Sequence, residues 1–230
     1  MKDFLCQVFT ILWKDILFEL RTRDTITAVL VFALLVIVIF NFAFEPEAST
    51  MLIVAPGVLW VSFIFAGVLS LNRTFVLEKE KGCLEGLMLC PVSREAIYTG
   101  KMLSSLIFML TIEAIILPVF FVLFNLSVPI PMYIFVAEIG LVTLLTTIGF
   151  ATVGTLFSAM SANTKAREVM LPILLFPVVS PIIIAAVEST GIILEGGYWG
   201  DFSSWLGILV AFDAIFLAVS PLAFEFVIQE

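Results

Sequence analysis

Three carboxylates, Glu113, Glu138 and Asp213, stand inside long apolar stretches without an obvious basic partner. An ionised carboxylate in hydrocarbon is costly, so each is a candidate for a polar path or for contact with a partner helix. The same residues also suit un-ionised carboxyls hydrogen-bonded within a bundle. Residue type alone leaves both readings open. At about 1.5 Å per residue, Glu113 lies roughly 15 Å into its stretch, near mid-membrane, while Glu138 and Asp213 lie closer to the outer face.

A second set of residues is mechanical rather than chemical. Pro172, Pro177 and Pro181 fall in one apolar stretch. Each removes a backbone donor and crowds the preceding turn, which predicts a kinked or locally broken helix. Such a helix can hinge or open a cavity, or simply fit a bent packing surface. The most distinctive polar segment runs from Phe75 to Ser93. Leu84, Leu87 and Met88 share a helical face there, and Pro91 ends the pattern. Gly82 and Gly86 weaken that helix, so it needs the membrane surface or a partner to hold it. It reads as an interfacial loop helix or as a docking helix for a soluble subunit.

What is missing excludes most enzyme chemistry. The chain has no phosphate-binding G-x-x-x-x-G-K-[ST] loop; Gly100-Lys101-Met102 lacks both the preceding glycine and the hydroxyl residue. It has no histidine, hence neither the usual general base nor the commonest haem ligand. No Cys/His metal cluster, Ser/His/Asp set or dinucleotide fingerprint is present either. Cys83 and Cys90, seven apart, can share a helix face, and with Cys6 they read as small apolar residues or as a metal or redox group. We therefore expect no catalytic residue, no metal and no cofactor bound by this chain, and no nucleic-acid partner.

The elements that position these residues follow from composition. Of 230 residues, 62% are hydrophobic and 13% charged, with a mean hydropathy of +1.20. A soluble domain is about half apolar and about a quarter charged. The surplus fits a polytopic all-α membrane protein in one transmembrane domain over residues 1–230, since each span needs about 20 apolar residues. Six spans are expected at about 26–44, 51–71, 102–126, 133–160, 171–187 and 206–227. Residues 4–20 carry two faces: Leu5, Val8, Phe9, Leu12, Ile16 and Leu20 against Asp3, Gln7, Thr10, Lys14 and Arg21. This predicts an amphipathic helix in the membrane interface, or one packed on a partner subunit. The amino-terminal residues lack the apolar core and cleavage site of a signal peptide.

Charge placement orients the spans. With the amino terminus inside, all eleven Lys and Arg residues fall on the cytoplasmic side, together with the segment 72–101 and the carboxy terminus. The outer loops hold only acids: Glu45, Glu47, Glu188, Glu195 and Asp201. One missed span would invert every later loop. On the fourth span, Gly154, Ser158 and Ala162 form a small-residue stripe, as do Ala151, Thr155 and Ala159. Such stripes let helix backbones approach closely, here for packing within the chain.

A resemblance then emerges from particular residues. It runs through Trp13-Lys14-Asp15, Glu19, Arg21, Phe65-Ala66-Gly67, Arg73, Phe75, Glu78, Glu80, Gly82, Leu84-Glu85, Leu87, Pro91 and Gly100-Lys101. It continues in Gly149 to Ala159, Arg167-Glu168 and Leu171 to Pro177 with Pro181. On these residues the chain resembles the CcmB family, the permease subunit of the haem exporter in bacterial cytochrome c maturation. The Glu-x-Glu-x-Gly-x-Leu part is common to many ABC-2 permeases, and the 149–181 block is more specific. Residues 188–205 and the interior of the first span lie outside the resemblance.

The resemblance implies an ABC-2-type permease in the bacterial inner membrane, acting as two copies with a CcmA-like ATPase. CcmC-like and CcmD-like membrane subunits and the haem chaperone CcmE would be its partners. ATP would be bound and hydrolysed on the partner, with haem handled by the complex. ATP hydrolysis is then linked to release of the haem-loaded chaperone. Glu78, Glu80, Gly82, Leu84, Glu85, Leu87 and Pro91 would receive the push of the ATPase. The alternatives are an ABC-2 permease for a lipid, glycan or drug, a non-transporting membrane scaffold, and a proton-coupled carrier using the three acids.

Overall fold

The computed structural model describes residues 2–22, 24–44, 48–80, 86–87, 89–126, 128–162, 164, 167–197 and 199–227. Seven long helices account for most of them: α1 (Lys2–Thr22), α2 (Asp24–Ala43), α3 (Ala48–Glu80), α4 (Arg94–Phe124), α5 (Met132–Ala162), α6 (Arg167–Glu195) and α7 (Trp199–Val227). Among the described residues there is no strand. Six helices, α2 to α7, are long and apolar enough to cross a membrane, as the hydropathy pattern predicts. In lipid, backbone donors and acceptors have no water to turn to, so continuous helices are the form such segments take.

The helix ends differ from the sequence expectation in three places. α3 continues to Glu80 instead of ending near residue 71. α4 begins at Arg94 rather than near residue 102, because Ser93 caps it: its Oγ accepts from the Ala96 N–H at 3.3 Å. The expected outer loop 188–205 is largely helical. α6 continues to Glu195, α7 starts at Trp199, and Gly196 turns the chain with a φ of +70°, which a side chain would oppose.

α5 is the centre of the bundle, packed by α3, α4, α6 and α7, while α1 lies on the outside against α4 and α2. Its small residues explain that position. Ala151, Thr152 and Thr155 are fully buried, and a Cβ on Gly154 would overlap the side chain of Leu71 on α3. Both stripes therefore pack inside the chain. At the level of Gly67 on α3, a Cβ would come within 2.7 Å of Met109 on α4 and of Phe150 on α5. The missing side chain at Gly67 thus leaves the room that the ends of the Met109 and Phe150 side chains occupy.

α6 runs unbroken through Pro172, Pro177 and Pro181, so the expectation of a local break does not hold. Pro181 has no N–H for the carbonyl of Pro177, one turn earlier. The hydroxyl of Ser180 donates to that carbonyl at 3.0 Å and takes over the missing bond.

The packing around Gly154 makes a definite prediction. Gly154→Leu should lower the thermal stability of the detergent-solubilised protein by about 1–3 kcal/mol, the usual cost of overpacking. Adding Leu71→Ala should restore part of the loss, which thermal melts of the single and double variants would check.

Candidate functional site

At the end of the bundle where α4 begins and α5 and α7 finish, a second small core forms apart from the main one. Ile11 of α1, Ile97, Tyr98 and Met102 of α4, Leu156, Ala159 and Ala162 of α5, and Phe224 of α7 build it. Leu87 and Val92, from the segment ahead of α4, pack against it. The segment singled out by sequence is therefore attached at its far end to four helices at once. Of its expected force-receiving residues, Glu78 and Glu80 lie at the end of α3, Leu87 is half-buried, and Pro91 is exposed. Gly82, Leu84 and Glu85 lie outside the described residues, as does Cys83. Cys6 and Cys90 are free and exposed.

Polar contacts fasten this end. Tyr98 is buried, stacks at a tilt on Phe224, and donates its phenol to the Thr152 carbonyl at 2.8 Å. Arg94 donates to the carbonyl of Glu225 at 3.2 Å. Gln7 Nε2 donates to the carbonyl of Pro91 at 3.2 Å, and its Oε1 accepts from the Ser93 N–H at 3.4 Å. Lys101 is fully buried, with its Nζ 3.5 Å from Asp15 Oδ2. Asp15 also meets Ser104 Oγ at 3.4 Å and Lys14 at 3.1 Å.

Sequence reasoning missed Asp15, Lys101, Gln7 and Ile11 as a set. The spacing of Val8, Ile11 and Asp15 puts them on one helical side, but an acid between apolar neighbours reads as surface until its buried lysine is found on α4. Val8 and Ile11 face α4, whereas Leu5, Phe9, Trp13 and Leu20 are exposed. α1 thus has one edge on its own protein and an apolar stripe left open.

The three intramembrane acids are not brought together. Glu113 is buried, and the hydroxyl of Thr147 on α5 lies 3.0 and 2.8 Å from its two oxygens. That hydroxyl is also 2.7 Å from the Thr143 carbonyl, so one proton serves two acceptors. A small crevice lined by Val29, Phe63, Ala66 and Met109 reaches Glu113. Asp213 on α7 is buried against Gly149 of α5, and neither of its oxygens has a hydrogen-bond partner among the described residues. Thr147 and Gly149 are two residues apart, about 200° around the helix, so the two acids face different sides of α5. Glu138 is half-buried near the other end of α5. Among the described residues, no group of three acids or cysteines could hold a metal ion.

The closeness of α1 to α4 is testable on its own. A Cβ at Gly100 would lie 2.9 Å from the Cβ of Ile11 and 3.2 Å from the Val8 carbonyl, neither of which can swing aside. Gly100→Ala should push α1 off α4 and speed tryptic cleavage at Arg21. Ile11→Gly in the same chain, which removes that Cβ, should slow it again in part.

Comparison with known proteins matches this architecture to one family. The model described as CcmB protein matches residues 6–229. The relative named Heme exporter protein B from Rhodobacter capsulatus is 29% identical over 93% of this chain and 94% of its own length. Its namesake from Paracoccus denitrificans is 28% identical over the same shares, and that from Pseudomonas aeruginosa is 27% identical over 84% and 83%. A match that spans all six apolar helices, most of α1 and the junction between α1 and α4 leaves one assignment: the chain belongs to the CcmB protein family.

Proposed function

We propose that this chain is the membrane subunit of an ATP-driven complex for cytochrome c maturation, coupling hydrolysis on a partner ATPase to haem delivery. The observation that carries the coupling is the seat of Leu87 and Val92 in the small core shared by α1, α4, α5 and α7. A push delivered at Leu87 or Val92 bears on three spans through this core. The names of the relatives supply the haem.

In this reading the end of the bundle with the small core faces the cytoplasm. Lys14, Arg21, Arg94 and Lys101 all lie there, on α1 or at the start of α4, as the positive-inside rule requires. A CcmA-like ATPase docks on the segment 72–101, two copies of this chain stand side by side, and CcmC-like and CcmD-like subunits complete the assembly in the bacterial inner membrane. ATP stays on the partner. Release of the haem-loaded chaperone CcmE is the work done, which needs no haem ligand from this chain.

Complementation of a strain lacking its own permease, with the cognate partners supplied, tests the whole. The wild-type gene should restore covalent haem on c-type cytochromes; an inserted, assembled protein that restores none would overturn the reading. Leu87→Glu places a charge in the small core and should cut covalent haem at least about tenfold, equivalent to some 1.4 kcal/mol, in complexes that still assemble.

A further inference from the structure

α1 is fastened to the chain around α4 at three levels. Gln7 bridges Pro91 and Ser93, Ile11 sits on Gly100, and Asp15 meets Lys101 and Ser104. On α1 these levels are four residues apart, a little more than one turn, so all three face the same side. Their partners advance in the same order along the segment and α4. α1 therefore runs along residues 91–93 and the start of α4 for about two of its own turns rather than touching at one crossing.

The nature of the contacts argues against independent motion. At the middle level, backbone meets side chain with no spare space, since even a methyl group at Gly100 would collide with Ile11. At the third level an ammonium is enclosed, the Lys101 side chain being 1% exposed. Moving α1 away would take from this buried charge a carboxylate that faces it. Breaking a pair around an enclosed charge is far costlier than breaking a surface ion pair. Rotating α4 alone would tear the two levels at Gly100 and at Lys101 with Ser104. Turning α4, α1 and residues 89–93 together tears none.

We infer that α1 is part of the coupling machinery, carried as one rigid unit with residues 89–104, and that Asp15 and Lys101 are the positioning pair that holds it there. The inference rests on the ATPase-coupling reading and adds a second arm to it. Force that reaches Leu87 and Pro91 turns the start of α4 and swings α1 with it. The exposed row of Leu5, Phe9 and Trp13, with Phe9 and Trp13 stacked at 6.4 Å, moves with that unit.

The test loosens the unit in one arm and locks it in another, in the assembled complex with its ATPase. Asp15→Asn and Lys101→Met should each lower covalent haem per ATP hydrolysed by about tenfold, the size expected for losing a charge-assisted contact. The exchange variant Asp15→Lys/Lys101→Asp should recover most of it. For the lock, Gln7→Cys is joined to the native Cys90 by a short bis-maleimide, with Cys6 and Cys83 changed to Ser. The cross-linked and unlinked forms should hydrolyse ATP and release the chaperone equally. Single variants that couple normally, or a cross-link that stops turnover, overturn the rigid unit. If a single variant fails to assemble, the exchange variant and the cross-link still decide. Leu87→Glu is run alongside: if it too couples normally, the coupling reading itself fails, whereas failure of the pair alone leaves that reading standing.

Discussion

Glycine notches along α5, filled by side chains of the helices around it, are the constraint on which the rest of the structure depends. In a bilayer, apolar side chains gain little by leaving lipid for one another, so helices are held by fit. α5 meets α3, α4, α6 and α7 through Gly149, Ala151, Gly154 and their neighbours, and a single extra carbon at Gly154 would strike Leu71. Hydrogen bonds between spans contribute less. Trp60 on α3 donates to Thr190 on α6 at 2.9 Å, but such bonds average only about 0.6 kcal/mol because alternatives exist in the unpacked state. The helices around α5 are consequently held by fit at these notches.

The same scarcity of water explains how the chain tolerates residues that look disruptive. Three prolines stay within one helix, and at one of them, Pro181, the hydroxyl of Ser180 replaces the missing amide donor at the Pro177 carbonyl. Glu113 survives between spans because Thr147 faces it. Asp213 has no such neighbour and instead occupies the space that Gly149 leaves open. These two acids are handled singly, each by a feature of α5. A continuous polar channel through the three acids would need them on a common side of α5, and Glu113 and Asp213 are on different ones.

Legibility in the sequence follows the same division. The six spans could be counted because each is a long apolar run. The uneven placement of Lys and Arg then served as a check on the number. Their ends were harder. The region 188–205 looks like a loop, with two glycines together and three acids, yet Ser189, Thr190, Ile193, Leu194 and Phe202 turn inward and keep it helical. Hydropathy averages over a window and cannot see one buried face on a polar turn. The junction at α1 was hidden for a different reason. Asp15 and Lys101 are 86 residues apart, and a charge reads as solvated until its partner is known. Of that contact, only Val8 belonged to the periodic apolar set.

The placement of those charges bears on why α1 is tied so firmly at all. A helix with an apolar stripe would be held at the membrane by that stripe alone, and for simple anchoring no buried lysine is needed. Apolar contacts slide, because one methyl group substitutes for another at little cost. An ion pair with an added hydroxyl does not slide: a shift of one turn would leave Lys101 facing Ile11 instead of Asp15. Charge in this junction therefore defines register more than it adds stability, a role for which polar groups in packed seams are best suited. A junction whose register is fixed can transmit a rotation, while a greasy one would absorb it. That difference is what a coupling element at this position requires.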